Sequence, residues 1–328
     1  MLLDPRHLRA AVTGALVVLA VAAVAAEPAP TFVRQLAGRG ALPGFVKAPE
    51  GLALDAAGNV FVADRSNNRI QKFAPDGSLL LVFGALGTDP GMFADPGAVD
   101  VDAQGNIYVM DETNARVQKF DGNGNFLLAW GSFGMLPGQF NTARGLGIGP
   151  DGAVYVADRA NDRVQKFDGN GNLLLIFGSH GRDPGLLNDP RDVAVDASNN
   201  VFILDRRNYR VDQFDSEGNF INMWGTLGTD EGQFLYARAL CVDNLGHVYV
   251  ADGDNARITK FDMMGNVLAM WGTRGLDPGN FIEPRGVAAD AQGNVYVADS
   301  GADAIFHFRF EPSAVQERSW SGMKQLFQ

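Results

Sequence analysis

The chain is a succession of short apolar runs separated by turn-forming residues. In one unit, Ala98–Asp102 (AVDVD) predicts a short strand and Gln104-Gly105-Asn106 a tight turn, its glycine supplying the positive φ that a hairpin needs. Ile107–Met110 predicts a second strand, Asp111–Ala115 a second turn and Arg116–Phe120 (RVQKF) a third strand. The turn DGNGN at 121–125 then leads to a fourth strand, Phe126–Gly131 (FLLAWG), and a longer connection to the next unit. Runs such as LLLVF at 79–83 are apolar without alternation, so both faces of the sheet should be covered.

This unit recurs. NIYVMDETNAR at 106–116 is matched by NVFVADRSNNR at 59–69, AVYVADRANDR at 153–163, NVFILDRRNYR at 200–210 and HVYVADGDNAR at 247–257, and in degraded form by NVYVADSGADA at 294–304. Its aspartates, Asp64, Asp111, Asp158, Asp205, Asp252 and Asp299, stand 47 residues apart. Length alone would allow two domains in 328 residues, but a fixed period points to one closed array. A single four-stranded sheet cannot cover both of its faces, whereas sheets stacked face to face around an axis can. The expected fold is therefore all-β, a six-bladed β-propeller with four antiparallel strands per blade. A linear solenoid would need polar capping units, and none is visible.

The sequence also predicts how the ring closes. Phe32 aligns with Leu79, Phe126, Leu173, Phe220 and Val267, so the repeat register begins inside a fourth strand. The corresponding place after the last unit, AVQERS at 314–319, lacks the apolar run. Phe32 to Ala37 should therefore complete the last blade. The expected division is a leader at 1–26, a propeller at 27–313 and a tail at 314–328, for which the sequence suggests no role.

The leader carries Arg6, His7 and Arg9, then an apolar or small run from Ala10 to Ala22, then Ala23-Val24-Ala25. That order is the pattern of a secretory signal peptide and predicts a periplasmic or secreted protein, with no membrane insertion after cleavage. An uncleaved anchor is the alternative, for which the run is short and rich in alanine. No cysteine lies near the cleavage site, which argues against a lipoprotein. The net charge of −11 disfavours nucleic acid and anionic lipid as partners. Cys241, the one cysteine, takes a position held elsewhere by Ala53, Gly147, Ala194 and Ala288 and is expected to be a small core residue.

These residues resemble the NHL repeat family. The likeness lies in the pattern running nearly intact from Pro49 to Gly77, with a proline, glycine and aspartate of the first strand, the turn G-N, the motif V-A-D-x-x-N-x-R and the run Q-K-F. It extends over nearly all of the chain after the leader. The resemblance implies a six-bladed propeller. It also implies a range of uses: bacterial extracytoplasmic sensor domains, RNA- or protein-binding ends of ubiquitin ligases, and propeller lyases.

Candidate chemistry is sparse. The D-x-x-N-x-R motif recurs in five units and is expected to be structural, its Asp and Asn bonding local amides and its Arg pairing with the Asp. The last unit has Ala302 and Ala304 instead, so its turn is either frayed or leaves space at a binding surface. DGNGN at 121–125 and 168–172 resembles the start of a calcium loop, but the sixth position is Phe126 or Leu173 and the twelfth Ser132 or Ser179, which argues for plain hairpins. His180, His247 and His307 fall at unlike places in their units, so the clustered histidines of the propeller lyases are not expected, and no cofactor is assigned.

The position before each first strand holds Glu50, Gly97, Arg144, Arg191, Arg238 and Arg285. In a propeller it should rim the central opening on the top face, the face that carries the turns between second and third strands. Four arginines in consecutive blades would make a positive arc suited to carboxylate or phosphate, which Arg159, Arg206 and Arg207 could extend. They could equally pair with Asp95, Asp189 or Glu283. Asp100 and Asp192 break the small-residue pattern of the first strands and should lie near the axis, either as a polar or metal site or as water-bridged buried acids. The candidate ligand-binding residues are thus Arg144, Arg191, Arg238, Arg285, Asp192 and Asp100.

The expected function is an exported, monomeric, non-catalytic scaffold that binds a protein, a peptide or a small anionic ligand through its top face. A hydrolase or lyase with a metal at the channel is the first alternative, and a nucleic-acid-binding domain the second.

Overall fold

The computed structural model describes residues 26–311. It is a ring of six four-stranded antiparallel sheets. Blade 1 comprises Pro49–Leu54, Val60–Asp64, Arg69–Phe73 and Leu79–Phe83, in that spatial order from the axis outward. The other first strands are Pro96–Val101, Leu146–Ile148, Pro190–Val195, Ala239–Val242 and Pro284–Ala289, which open blades 2 to 6. The expected all-β, six-bladed architecture is what the chain adopts.

The core lies between blades. Phe83 of blade 1 and Phe93 and Phe120 of blade 2 form one such cluster, with ring centroids 4.8 to 6.1 Å apart. Each buried phenylalanine contributes roughly 1.5–3 kcal/mol by removal from water. The glycine that ends the fourth strand is required by this packing. At Gly84, φ is +95° and an added Cβ would come within 2.4 Å of the Phe93 ring.

Ring closure follows the predicted register. Thr31–Ala37 pairs antiparallel with Ala304–Arg309, with Phe32 opposite Phe308, and forms the outer strand of blade 6. The Phe32 ring meets Phe306 and Phe308 edge-on at 6.1 and 5.7 Å. Just before it, the amide of Glu27 donates to the Leu268 carbonyl at 2.6 Å and its carboxylate pairs with Lys260, so the leading segment lies on the outer strand of blade 5. Residues 1–25 of the leader and the chain from residue 312 lie outside the described residues.

Two details differ from expectation. The fourth strands of blades 1 to 4 are only half covered, with Leu80, Leu127, Leu174 and Ile221 exposed, whereas in blade 5 Leu268 is buried under the leading segment. The last blade is also intact. Its turn lacks the Asn and Arg, and Asp299 instead accepts the amides of Ile282, Glu283, Gly301 and Ala302 directly.

Deleting Thr31–Ala37 should leave the edge of Ala304–Arg309 unpaired and uncover Phe306 and Phe308, giving aggregates or oligomers by size-exclusion chromatography. Deleting 314–328 should leave the elution volume unchanged. The reverse outcome would show that the closing strand is wrongly assigned.

Candidate functional site

The top face is assembled by one device repeated around the ring. Asp64 is fully buried and accepts the Lys47 amide of the incoming loop at 2.8 Å, Asn67 Nδ2 at 2.9 Å, Arg69 Nε at 2.7 Å and Gln71 Nε2 at 3.0 Å. The Arg69 guanidinium then donates to the carbonyls of Ala41, Leu42 and Phe45. The motif thus ties the turn to the loop that enters its blade. Asp111, Asp158 and Asp252 repeat it with their own Asn and Arg. Blade 4 varies: Asp212 stands where blades 1 to 3 have glutamine, and Arg210 Nε donates to it at 2.9 Å.

Inside this ring of turns the arginines converge. Arg144, Arg285, Arg65 and Arg191 from four different blades all face Glu50, which is 2% exposed. Arg144 grips both of its carboxylate oxygens, and Arg285 Nη1 donates to it at 2.7 Å. Arg65 Nε lies at 3.6 Å and Arg191 Nη2 at 3.9 Å. Burial pushes the Glu50 carboxyl up, but the guanidiniums of Arg144, Arg191 and Arg65 outweigh it and hold it below the usual range. The outer partners are Glu112 for Arg144 at 3.1 Å, Glu283 for Arg285 at 3.0 Å and for Arg238 at 2.9 Å, and Asp254 for Arg238 at 3.3 Å.

The predicted arc therefore does surround one space, and a carboxylate of the chain stands in that space. Arg191 has the most distant carboxylate partner of the group. It is 4% exposed, and its Nε donates to the Arg238 carbonyl at 3.1 Å. Burial and the charge of Arg144 hold its pKa well below the ordinary value. The free volume left at this mouth is about 30 Å³, room for about one water. Sequence reasoning noted Glu50 only as an interruption of the arginine series. The signal of its role was that interruption itself, since a residue in the arginine register must share the same radius.

Below the plug the first strands enclose a channel of about 470 Å³ that runs to the hairpins at Asp55 and Asp290 on the opposite face. Asp100 and Asp192 line it as predicted. Asp100 accepts the Val101 amide and the Ile148 amide of the next blade, each at 2.8 Å. Asp192 likewise accepts Val193 and, in the next blade, Leu240, each at 3.0 Å. These acids staple blade 2 to blade 3 and blade 4 to blade 5. Gly145 makes room for one staple, since an added Cβ there would sit 2.4 Å from the Asp192 Cα. Burial pushes Asp100 up to about 6 and Asp192 to about 7, against the pull of the amides. Cys241, expected in the core, faces this channel as well, and burial pushes its thiol well above the ordinary value.

Other predicted groups are dispersed. Arg159, Arg206 and Arg207 gather on Asp189, outside the mouth, with Arg206 Nε at 2.8 Å and Arg207 Nε at 3.5 Å. His180 pairs with Asp162 on the top face at 2.9 Å, His247 with Asp243 in an opposite-face hairpin at 2.8 Å, and His307 stacks on Tyr296. Among the described residues, no group of three or more His, Cys, Asp or Glu side chains is placed to hold a metal ion. Two residues that sequence reasoning passed over, Tyr209 and Tyr236, lie in contact beside Arg206.

The NHL repeat is matched six times, at 48–73, 93–120, 140–167, 187–214, 234–261 and 281–308, and the protein belongs to the NHL repeat family. No curated protein matches the sequence. Among solved structures the chain is similar to a protein of unknown function from Bacteroides thetaiotaomicron, at 16% identity and a TM-score of 0.64, covering 88% of this chain and 75% of that one. It is also similar to a gluconolactonase from Xanthomonas campestris, at 14% identity and 0.61, covering 88% and 97%. A third is virginiamycin B lyase from Staphylococcus aureus, at 12% identity and 0.57, covering 86% and 98%. At these identities the likeness is one of fold.

The Asp192 staple has a pH signature. Its folded pKa of about 7 lies above the unfolded value of about 3.9, so the folded chain holds the extra proton and this group's stabilisation is lost as pH rises through 7. Asp192→Asn removes that titration and one acceptor. Relative to the parent, the variant should be least stable near pH 4 and recover progressively toward pH 8 in thermal unfolding. A pH-independent gap would show that Asp192 is ionised throughout.

Proposed function

We propose that this NHL propeller is a binding scaffold without chemistry of its own, and that an anionic partner docks on its top face. The observation that carries the reading is the charge balance there. Around the mouth and Asp189, eight guanidiniums, those of Arg65, Arg144, Arg159, Arg191, Arg206, Arg207, Arg238 and Arg285, face the carboxylates of Glu50, Asp95, Glu112, Asp189, Asp254 and Glu283, with Asp162 as a seventh acid beside Asp189, on a chain whose net charge is −11. The excess is concentrated by low-dielectric surroundings, which focus the field at the mouth. Glu50 and its arginines also fill the opening, so a partner would lie on the face and not enter from it.

The channel supports a second reading, a hydrolase or lyase working from the opposite face. Its volume and the two acids favour that reading, as does the likeness in fold to a gluconolactonase and a lyase. Against it, Asp100 and Asp192 already spend both oxygens on backbone amides.

A fluorescein-labelled octaglutamate peptide, followed by anisotropy, tests the first reading. Binding should weaken as sodium chloride rises from 50 to 300 mM, because exposed charges are then screened. Arg207→Ala with Arg238→Ala should weaken it by about tenfold, since partly exposed ion pairs are worth about 0.2–1 kcal/mol each. The melting temperature should hardly move. No binding by the parent at low salt would refute the reading.

A further inference from the structure

The residue before the arginine position of each turn has a left-handed backbone in all six blades: Asn68, Ala115, Asp162, Tyr209, Ala256 and Asp303, with φ from 51 to 57°. At three blade junctions its short side chain is put to use. Asn68 Oδ1 accepts the Asp95 amide at 3.0 Å, Asp162 Oδ1 the Asp189 amide at 2.7 Å, and Asp303 Oδ1 the Ala48 amide at 2.6 Å across the ring closure. Asn and Asp suit this conformation and supply the acceptor.

Between blades 4 and 5 the two residues in question are both tyrosine. Tyr209 has φ 57° and Tyr236 has φ 51°. A bulky side chain is disfavoured in the left-handed region, and such strain persists where something else requires it. In place of the amide-to-carboxylate bond, the two rings meet edge to face at 5.7 Å and 70°. Tyr236 is 38% exposed, and the Arg206 guanidinium stands 5.6 Å over its face. Stability does not account for the exchange, because the same fold uses the cheaper Asn or Asp elsewhere.

The surroundings indicate what the rings would meet. Arg159, Arg206 and Arg207 share one carboxylate, that of Asp189, and the Arg207 side chain is 62% exposed. Even with Asp162 counted beside Asp189, three guanidiniums against two carboxylates leave a local positive excess beside an exposed aromatic surface. Tyrosine and arginine together are the residues most used as binding anchors.

We infer that Tyr209, Tyr236, Arg159, Arg206 and Arg207 form a recognition site for an acidic peptide segment of a partner protein. Its carboxylates pair with Arg207 and Arg159, and an adjacent aromatic or aliphatic side chain lies against the tyrosine rings. The inference rests on the top face being the anionic-partner surface and names the partner's chemistry. The cationic patch covers one sector of an acidic protein, which suits a short peptide better than a long polyanion.

The test uses the full chain and a fluorescein-labelled peptide, Glu-Asp-Phe-Glu-Asp, beside octaglutamate. Tyr209→Asn with Tyr236→Ala restores the fold's own solution, so the melting temperature should hold or rise. Affinity for the phenylalanine peptide should fall about tenfold, the loss expected on truncating a binding anchor. Octaglutamate should be much less affected. Arg207→Ala, a mostly exposed position, should also weaken the phenylalanine peptide and serves if the tyrosine variant does not fold. If octaglutamate binds the parent but neither variant alters the phenylalanine peptide, this site is wrong and the top-face reading stands. If neither peptide binds the parent, both fall. Tighter binding of a single-stranded oligonucleotide than of the peptide would overturn the peptide assignment.

Discussion

Five of the six blades depend on a buried carboxylate satisfied by a backbone amide of the incoming loop and by side chains of their own turn. An ionised group in that position would be costly if left unpaired. At Asp64 four donors, two of them from the Asn and Arg of the motif, offset part of the cost, and burial still holds the carboxyl above its ordinary value. This explains why spacing within the unit is so regular. A one-residue change between the aspartate and the arginine would move the guanidinium away from both the carboxylate and the loop carbonyls it binds. It also fixes the top face, since each loop is held at a set height above its blade.

That rigid frame lets charge be collected at the axis. Glu50 draws guanidiniums from four blades, and the desolvation of so many ions is tolerable only because each has a defined partner or a carbonyl to bind. The cluster separates two environments. Above it lies an arginine-rich mouth, and below it a channel whose acids are committed to joining strands. Arg191 shows the cost most plainly: it is deeply buried, its near neighbours include like charges, and its best carboxylate contact is 3.9 Å away.

Much of this was legible in the sequence because repetition reports geometry. The 47-residue period located every first strand, and the offset of Phe32 located the closing strand. The same period put the four arginines at one radius and Asp100 and Asp192 on the axis. What period cannot report is pairing across the ring. Arg144 and Glu50 are 94 residues apart and meet only because the ring curves them together. Nor does it report the cost of backbone conformation: the left-handed turn position is filled by Asn, Asp, Ala and Tyr, and only the structure shows that tyrosine there is exceptional. The half exposure of the fourth strands in blades 1 to 4 is illegible for a related reason, as an apolar run does not say whether another segment will cover it.

The central claim is that Glu50 is the counterion on which the top face is built, and denaturant unfolding of Glu50→Gln against pH tests it most directly. The guanidiniums hold the Glu50 pKa below its unfolded value of about 4.3. Its stabilisation is therefore present above that value and lost as pH falls through the folded pKa. At pH 7 the variant should be less stable than the parent by about 3–5 kcal/mol, the usual cost of stripping one partner from a buried ion cluster. The gap should close as the pH is lowered below 4. A variant as stable as the parent at pH 7, or a gap that does not change with pH, would contradict the account.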